Sequence, residues 1–157
     1  MTIGSLLAWV QTTAIASAIG GSTQLTGLLS GIHLLGLTLL VGAAIVSGLR
    51  MMGIILVETP TADVVLWPGR GMIVGLIISV TSGLLLFSPR AVAAAGNSLF
   101  QIKVLLLSVA VAFHFGVYRP ISRRNDARPS ALKITGGVGL TLWFAVAIGG
   151  CAFILFE

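Results

Sequence analysis

Long apolar stretches make up most of the chain, and short segments containing proline, glycine and charged residues separate them. Four of these stretches reach the ~20 apolar residues that a membrane-spanning helix needs. A helix satisfies its backbone hydrogen bonds within one segment, so apolar segments in lipid are expected to be helical. The pattern predicts an all-α integral membrane four-helix bundle, a single domain over residues 1–157 with spans at about 25–49, 71–87, 99–117 and 131–156.

A weaker apolar stretch, residues 3–20, precedes the first span. Leu6, Val10 and Thr13 fall on one face of a helix here. Trp9 lies beside that face, as an aromatic anchor at a membrane surface would. The stretch therefore predicts an amphipathic helix lying in the membrane interface. Because it just reaches spanning length, a fifth span is the alternative.

Prolines mark the expected connections between the spans, because proline interrupts the helical hydrogen-bond pattern. Pro60 and Pro68 are expected to bound the loop between the first and second spans. Pro120 and Pro129 are expected to bound a short basic loop between the third and fourth. No internal repeat or second domain is evident in the sequence.

Composition supports the membrane assignment: 57% of the residues are hydrophobic and 8% are charged, against about 25% charged in soluble domains. The net charge of +5 does not indicate nucleic acid binding, because the basic residues lie in loops beside apolar helices. The expected partners are the lipid bilayer and other proteins of a membrane complex. The single cysteine, Cys151, cannot form an intramolecular disulfide and is interpreted as a packing residue.

Lysine and arginine counts predict the orientation, because cytoplasmic loops carry an excess of these residues. The side opposite the basic loop has only Arg90 and Lys103. We therefore expect a multi-pass protein of the bacterial inner (plasma) membrane, with the loop between spans three and four cytoplasmic and both termini outward. The basic residues of that loop are Arg119, Arg123, Arg124, Arg128 and Lys133.

Apart from Lys133 at the loop end of the last span, three basic side chains lie inside the predicted spans: His33, Lys103 and His114. Such residues are costly in a membrane and are functional candidates by default. There is no carboxylate within the spans, no Ser-His-Asp set and no phosphate-binding loop. These absences argue against a carboxylate-based proton relay and against hydrolase chemistry, and no independent enzymatic activity is expected.

Histidine is a common axial ligand of haem iron, and facing helices of a bundle can hold a cofactor between them. His33 and His114 are therefore candidate metal ligands, and Lys103 is a candidate second ligand or counter-charge to the haem propionates. From the helical rise, His33 lies ~12 Å and His114 ~21 Å from the same end. Helix tilt would have to absorb most of that difference for the two histidines to share one iron. The alternative is that His33 serves a site in the outer half with Lys103 nearby, and that His114 lies in a second site or packs. The ordinary alternatives are hydrogen-bonded packing for the histidines and snorkelling for Lys103.

The segment "HLLGLTLLVGAAIVSGLRMMG", together with "TSGLLLF" and "NSLFQIKVLLL", resembles an uncharacterised family of small bacterial four-helix membrane proteins. The resemblance covers about residues 25–120. Gly48 stands where that family usually has an acidic residue before its closing "LR" motif.

More remotely, the chain is similar to the copper-resistance membrane family and to the small membrane protoporphyrinogen oxidase family, which binds haem. The oxidase family has a histidine and a following arginine in its first helix, and a lysine followed eleven residues later by a histidine in its third. The matching residues here are His33, Arg50, Lys103 and His114. This similarity implies haem rather than copper, and the oxidase activity itself is not carried over.

The sequence leaves three functional hypotheses open. The first is a b-type haem protein that transfers electrons, or serves as an accessory subunit, within a larger inner-membrane redox complex. The second is a structural or assembly subunit without a cofactor, whose glycine-rich helices pack against neighbouring subunits. The third is copper handling through His33.

Overall fold

The computed structural model describes residues 2–124 and 127–155, except for the side chains of Ala62 and residues 151–155, so the packing role predicted for Cys151 lies outside it. The described chain is helical and contains no strand, which confirms the all-α prediction. Its elements are α1 (Ile3–Gln11), α2 (Ala14–Gly20), α3 (Thr23–Met51), α4 (Thr61–Phe87), a 3-10 turn (Ser88–Arg90), α5 (Ala91–Gly96), α6 (Ser98–Phe113), a π-helical segment (His114–Tyr118), α7 (Arg119–Ser122) and α8 (Pro129–Leu155).

Four helical stretches are long and apolar enough to cross a membrane, judged by length and composition. Their outward faces carry large apolar side chains, for example Leu35, which is 71% exposed, and Leu105, which is 63% exposed. A helix that is apolar on its outer face as well as its inner face is typical of a membrane span. The stretches are Thr23–Met51, Asp63–Gly96, Ser98–Ser122 and Pro129–Gly150.

The N-terminal segment differs from the single helix predicted for residues 3–20. It consists of α1 and α2, whose axes are bent by 61°. The bend lies at Thr12 and Thr13, whose hydroxyl groups donate to the carbonyls of Trp9 and Val10 at 2.8 Å each. Thr13 also caps α2 by accepting from the backbone of Ala16. Side chains that bond their own backbone in this way compete with helix continuation.

The start of α4 also differs from the prediction. The first connection ends at Pro60, whereas Pro68, predicted to lie at its far end, is inside α4. A proline near the helix start removes only its own backbone donor, here the one that would reach the Val64 carbonyl. Val64 and Val65 are buried and attach this first part of the helix to the bundle.

Close helix packing sets the arrangement of the bundle. A Cβ placed on Gly75 of α4 would lie 2.6 Å from both the Gly36 carbonyl oxygen and the Leu40 nitrogen of α3. A Cβ on Gly136 of α8 would lie 2.8 Å from the Gly48 carbonyl oxygen, also on α3. Glycine at these positions allows the backbones to approach, as small residues do in membrane helix pairs.

The helices follow one another around the bundle in the order α4, α3, α8, α6. The circle does not close, because α4 and α6 scarcely touch each other along their lengths. The core contains Leu40, Met72, Ala110, Trp143 and Val146, one or more residues from each of the four long helices. The gap between α4 and α6 leads toward this core.

Candidate functional site

An apolar cavity of about 210 Å³ lies between the four long helices, on the side where α4 and α6 separate. His33 and Lys103 both line it. Leu84 of α4 and Val104 of α6 also line it and are exposed on the outer surface, so the cavity opens sideways between these helices. We call it the His33 cavity.

The orientation of the His33 ring is set by a serine on the neighbouring helix. His33 Nδ1 and Ser82 Oγ are 3.0 Å apart. The Ser82 hydroxyl lies 2.6 Å from the Ile78 carbonyl oxygen and donates its one proton there. We infer that its oxygen accepts from His33, which assigns the ring proton to Nδ1 and the lone pair to Nε2 in the neutral ring.

Small residues make the room for this histidine. A Cβ on Gly83 would lie 3.2 Å from His33 Cε1 and 3.5 Å from Nδ1. The distance to Cε1 is tighter than ordinary van der Waals contact, so a larger residue at position 83 would press on the imidazole. The motif "TSG" therefore supplies both the hydrogen-bond partner, Ser82, and the space, Gly83.

Two further polar groups line the His33 cavity. Ser79 Oγ is buried and has no hydrogen-bond partner among the described residues. The Lys103 ammonium group approaches α8, where a Cβ on Gly150 would lie 3.7 Å from Nζ. At the end of the cavity nearest α5, the rings of Phe87 and Phe100 stack with centroids 5.0 Å apart and join α4 to α6. The cavity is thus apolar with a few polar groups, as small-molecule sites commonly are.

A second cavity, of about 180 Å³, lies at the opposite end of the bundle and is lined by His114. Three arginines surround it: Arg70 of α4, Arg119 of α7 and Arg123 just after α7. We call it the arginine cavity. His114 is only 5% exposed, and its Nδ1 has no hydrogen-bond partner among the described residues.

The His114 ring is held by aromatic contacts. It stacks on Tyr118 with centroids 5.3 Å apart and meets Trp143 edge-on at 6.3 Å. His114 begins the π-helical segment, where the Arg119 backbone donates to the His114 carbonyl five residues earlier. Pro120 follows directly and has no backbone donor for the ordinary pattern, which explains the wider turn at this point.

Comparison with known families gives a match over nearly the whole chain. The profile of the family of unknown function DUF6644 matches residues 6–156. The chain belongs to the DUF6644 family. No curated protein and no solved structure matches it. Membership in DUF6644 therefore assigns no activity, and the function has to be argued from the two cavities.

In this DUF6644 chain, two of the three predicted site residues line the same cavity and the third lines another. His33 and Lys103 line one cavity, whereas His114 lines the other. Trp143, which is 3% exposed, lines the His33 cavity and also contacts His114, so it lies between the two. Arg50 lines neither cavity and instead donates to the carbonyls of Val57 and Thr59 in the first connection.

The sequence analysis did not single out Ser79 or Ser82 as site residues. Ser82 lies in the "TSGLLLF" segment that carries the family resemblance, whereas the signal at Ser79 is a hydroxyl in an apolar stretch. Most such hydroxyls bond their own helix, as Ser108 does to Val104. The described residues contain no group of three or more His, Cys, Asp or Glu side chains arranged to hold a metal ion.

Proposed function

We propose that this protein spans the bacterial inner membrane and binds a b-type haem through His33, as an electron-transfer or accessory subunit of a larger redox complex. The observation that carries the proposal is the His33–Ser82–Ile78 hydrogen-bond chain. It leaves the Nε2 lone pair of a neutral imidazole available beside an apolar cavity. Metal-ligating histidines characteristically have their other ring nitrogen held by a hydrogen bond.

The groups around the His33 cavity fit a haem in chemistry. Lys103 offers either a positive charge to a propionate or, if deprotonated, a second ligand to the iron. The unpartnered Ser79 hydroxyl offers a hydrogen bond to a polar group of the bound molecule. Of the four residues in the resemblance to the haem-binding oxidase family, His33 and Lys103 line this cavity, whereas Arg50 and His114 do not. A bound haem would supply a one-electron redox centre, and the chain would supply its ligand and its low-dielectric surroundings.

Size adds a condition to this proposal. Ligand pockets commonly measure about 300–1,000 Å³, and the His33 cavity encloses about 210 Å³. A haem held by His33 would therefore need the opening between α4 and α6 in addition to the cavity itself. Leu84 and Val104, which border that opening, are apolar and suit the edge of a porphyrin.

The orientation in the membrane follows from charge in the same proposal. Arg119, Arg123, Arg124 and Arg128 lie at the end of the bundle that carries the arginine cavity. Cytoplasmic loops carry such an excess of basic residues. The arginine cavity is then near the cytoplasm, and the His33 cavity is in the outer half of the membrane.

The proposal is tested by spectroscopy on purified, haem-supplied protein. We expect a b-type band in the dithionite-reduced minus oxidised spectrum, with one haem per chain in a pyridine haemochrome assay. His33→Ala should lose the haem while keeping the helical circular dichroism signal. His114→Ala is the matched control, because it removes the other intramembrane histidine, and it should keep the haem. A flat spectrum from folded wild-type protein, or full haem content in His33→Ala, would overturn the proposal.

A structural or assembly subunit without a cofactor is the second candidate. One observation favours it: glycines on the outward side of α3 leave their neighbourhood open. A Cβ on Gly27, Gly31 or Gly42 would meet no described atom within 4 Å. Outward-facing small residues of this kind allow a helix of another subunit to approach closely. Haem-free protein that co-purifies with a fixed membrane partner would favour this candidate over the first.

A further inference from the structure

The arginine cavity concentrates positive charge, and no carboxylate lines it among the described residues. Arg70, Arg119 and Arg123 line it, and none of the three forms an ion pair with a carboxylate among the described residues. Like charges gathered around one concave surface repel each other, and a bound anion relieves that repulsion.

Two of the three guanidinium groups are held in position by aromatic rings. The Arg70 guanidinium carbon lies 5.2 Å from the centroid of the Trp67 ring. The Arg119 guanidinium carbon lies 5.9 Å from the centroid of Phe115. Cation–π contacts at these distances restrict a long side chain before any ligand arrives. Less conformational entropy is then lost on binding an anion.

His114 adds a buried polar group to the same cavity. Its ring lines the cavity, is 5% exposed and is fixed by stacking on Tyr118. Its Nδ1 is buried without a partner among the described residues. A buried ring nitrogen in that position normally has a hydrogen-bond partner, since leaving it without one costs free energy.

The rest of the lining is apolar. Val65, Leu66 and Ile73 of α4 form it, and Leu66 is exposed on the outer surface of the bundle. A ligand for this cavity therefore combines an anionic group with an apolar part that lies along the helix. Arginine recognises phosphate oxygens through paired hydrogen bonds, and basic pockets between membrane helices bind anionic lipid headgroups.

We propose that the arginine cavity binds the phosphate group of an anionic membrane phospholipid, with an acyl chain lying against the apolar part of α4. The lipid would connect the N-terminal part of α4 to α7, which follows the π-helical segment. These two elements otherwise share few contacts. This inference rests on the membrane insertion proposed above and is independent of haem binding.

The test is a lipid titration of the detergent-solubilised full chain, followed by native mass spectrometry. Phosphatidylglycerol should bind at least about 10-fold more tightly than zwitterionic phosphatidylcholine, because each arginine near the headgroup contributes about 1 kcal/mol. Replacing Arg119 and Arg123 together by glutamine should weaken phosphatidylglycerol binding by about 25-fold, or about fivefold per arginine by the same figure.

The matched control replaces Arg124 and Arg128 by glutamine, which removes the same charge from the same connection outside the cavity. This variant should bind phosphatidylglycerol within about twofold of wild type. Equal weakening in both double variants would overturn the inference, because binding would then depend on net charge alone. Circular dichroism on every variant separates loss of binding from loss of fold.

A second titration uses inorganic phosphate as the probe. It distinguishes a phospholipid headgroup from free phosphate as the ligand of the cavity. Under the inference, millimolar phosphate competes weakly, and the lipid remains the tighter ligand in wild-type protein. If phosphate binds with the same dependence on Arg119 and Arg123 while phosphatidylglycerol shows no advantage over phosphatidylcholine, the lipid inference is wrong and the cavity binds a soluble anion.

Discussion

Gly75 of α4 faces Gly36 of α3 so closely that a Cβ on Gly75 would lie 2.6 Å from the Gly36 carbonyl oxygen. The neighbouring atom is backbone and cannot rotate away. On the same pair of helices, a Cβ on Gly36 would lie 2.7 Å from a methyl carbon of Ile78 and 2.8 Å from Ser79 Oγ. This crossing brings Ser79 and Ser82 within reach of α3, so the packing of two glycines positions the His33 cavity.

Substitution at the crossing should destabilise the bundle. We expect Gly75→Ala to cost about 1–3 kcal/mol, as overpacking of a close interface does. Gly42→Ala is the control, since a Cβ there meets no described atom within 4 Å, and it should leave stability unchanged. Thermal unfolding in detergent, followed by circular dichroism, measures both. Similar melting temperatures for the two variants would show that the crossing tolerates a methyl group.

Removal of the Ser82 hydroxyl should weaken haem binding without removing the ligand. Ser82→Ala leaves His33 Nδ1 without its acceptor, and loss of such a partner typically lowers metal affinity about 10–100-fold. Ser108→Ala is the control, because Ser108 makes the same kind of bond to its own helix but contacts no histidine. Haem titration of the apoprotein gives the affinities. An unchanged haem affinity in Ser82→Ala would show that the hydrogen bond from His33 to Ser82 does not support haem binding.

A bulky residue at position 83 should close the His33 cavity. Gly83→Val places side-chain atoms against His33 Cε1, where even a Cβ lies at 3.2 Å, so we expect haem content below one tenth of wild type. Gly31→Val introduces the same side chain at an open position of α3 and should bind haem normally. The haemochrome assay reports both. Normal haem content in Gly83→Val would mean that the ligand binds away from this face of His33.

The proposed orientation predicts opposite labelling at the two ends of the bundle. On a Cys151→Ser background, Ser98→Cys at the start of α6 should react with a membrane-impermeant maleimide in spheroplasts. Ser130→Cys in the first turn of α8 should react only after permeabilisation. Both serines are exposed in the structure. The reverse pattern would place the arginine-rich end outside and contradict the orientation.

Hydropathy alone predicted the four long helices, because a helix that can cross a membrane is apolar over most of its length. It failed at Pro68, where one missing donor near the start of a helix was not enough to end it. It also failed at Thr12 and Thr13, whose hydroxyl groups bond the backbone and break the N-terminal segment into two. Both errors arise from local hydrogen bonding. Hydropathy averaged over many residues is insensitive to such bonds.

The candidate site was harder to predict than the fold. A helix that is apolar all round carries no periodicity to show which face meets its neighbour. His33, Lys103 and His114 could therefore be predicted as site residues, with their approximate depths in the helices. Which of them line the same cavity could not be predicted. The contact between His33 and Ser82 joins residues far apart in the chain, and it depends on the glycine crossing that only the packed structure reveals.

The sideways opening between α4 and α6 determines how binding to the His33 cavity must be measured. In the proposed membrane setting, a molecule that enters there arrives from the hydrocarbon phase, so its effective concentration is its mole fraction in the lipid or detergent that surrounds the protein. Dilution with water leaves that fraction unchanged, whereas added detergent lowers it. Dissociation constants for this cavity are therefore comparable only at equal amphiphile content, and a lipid tail that occupies the opening acts as a competitor.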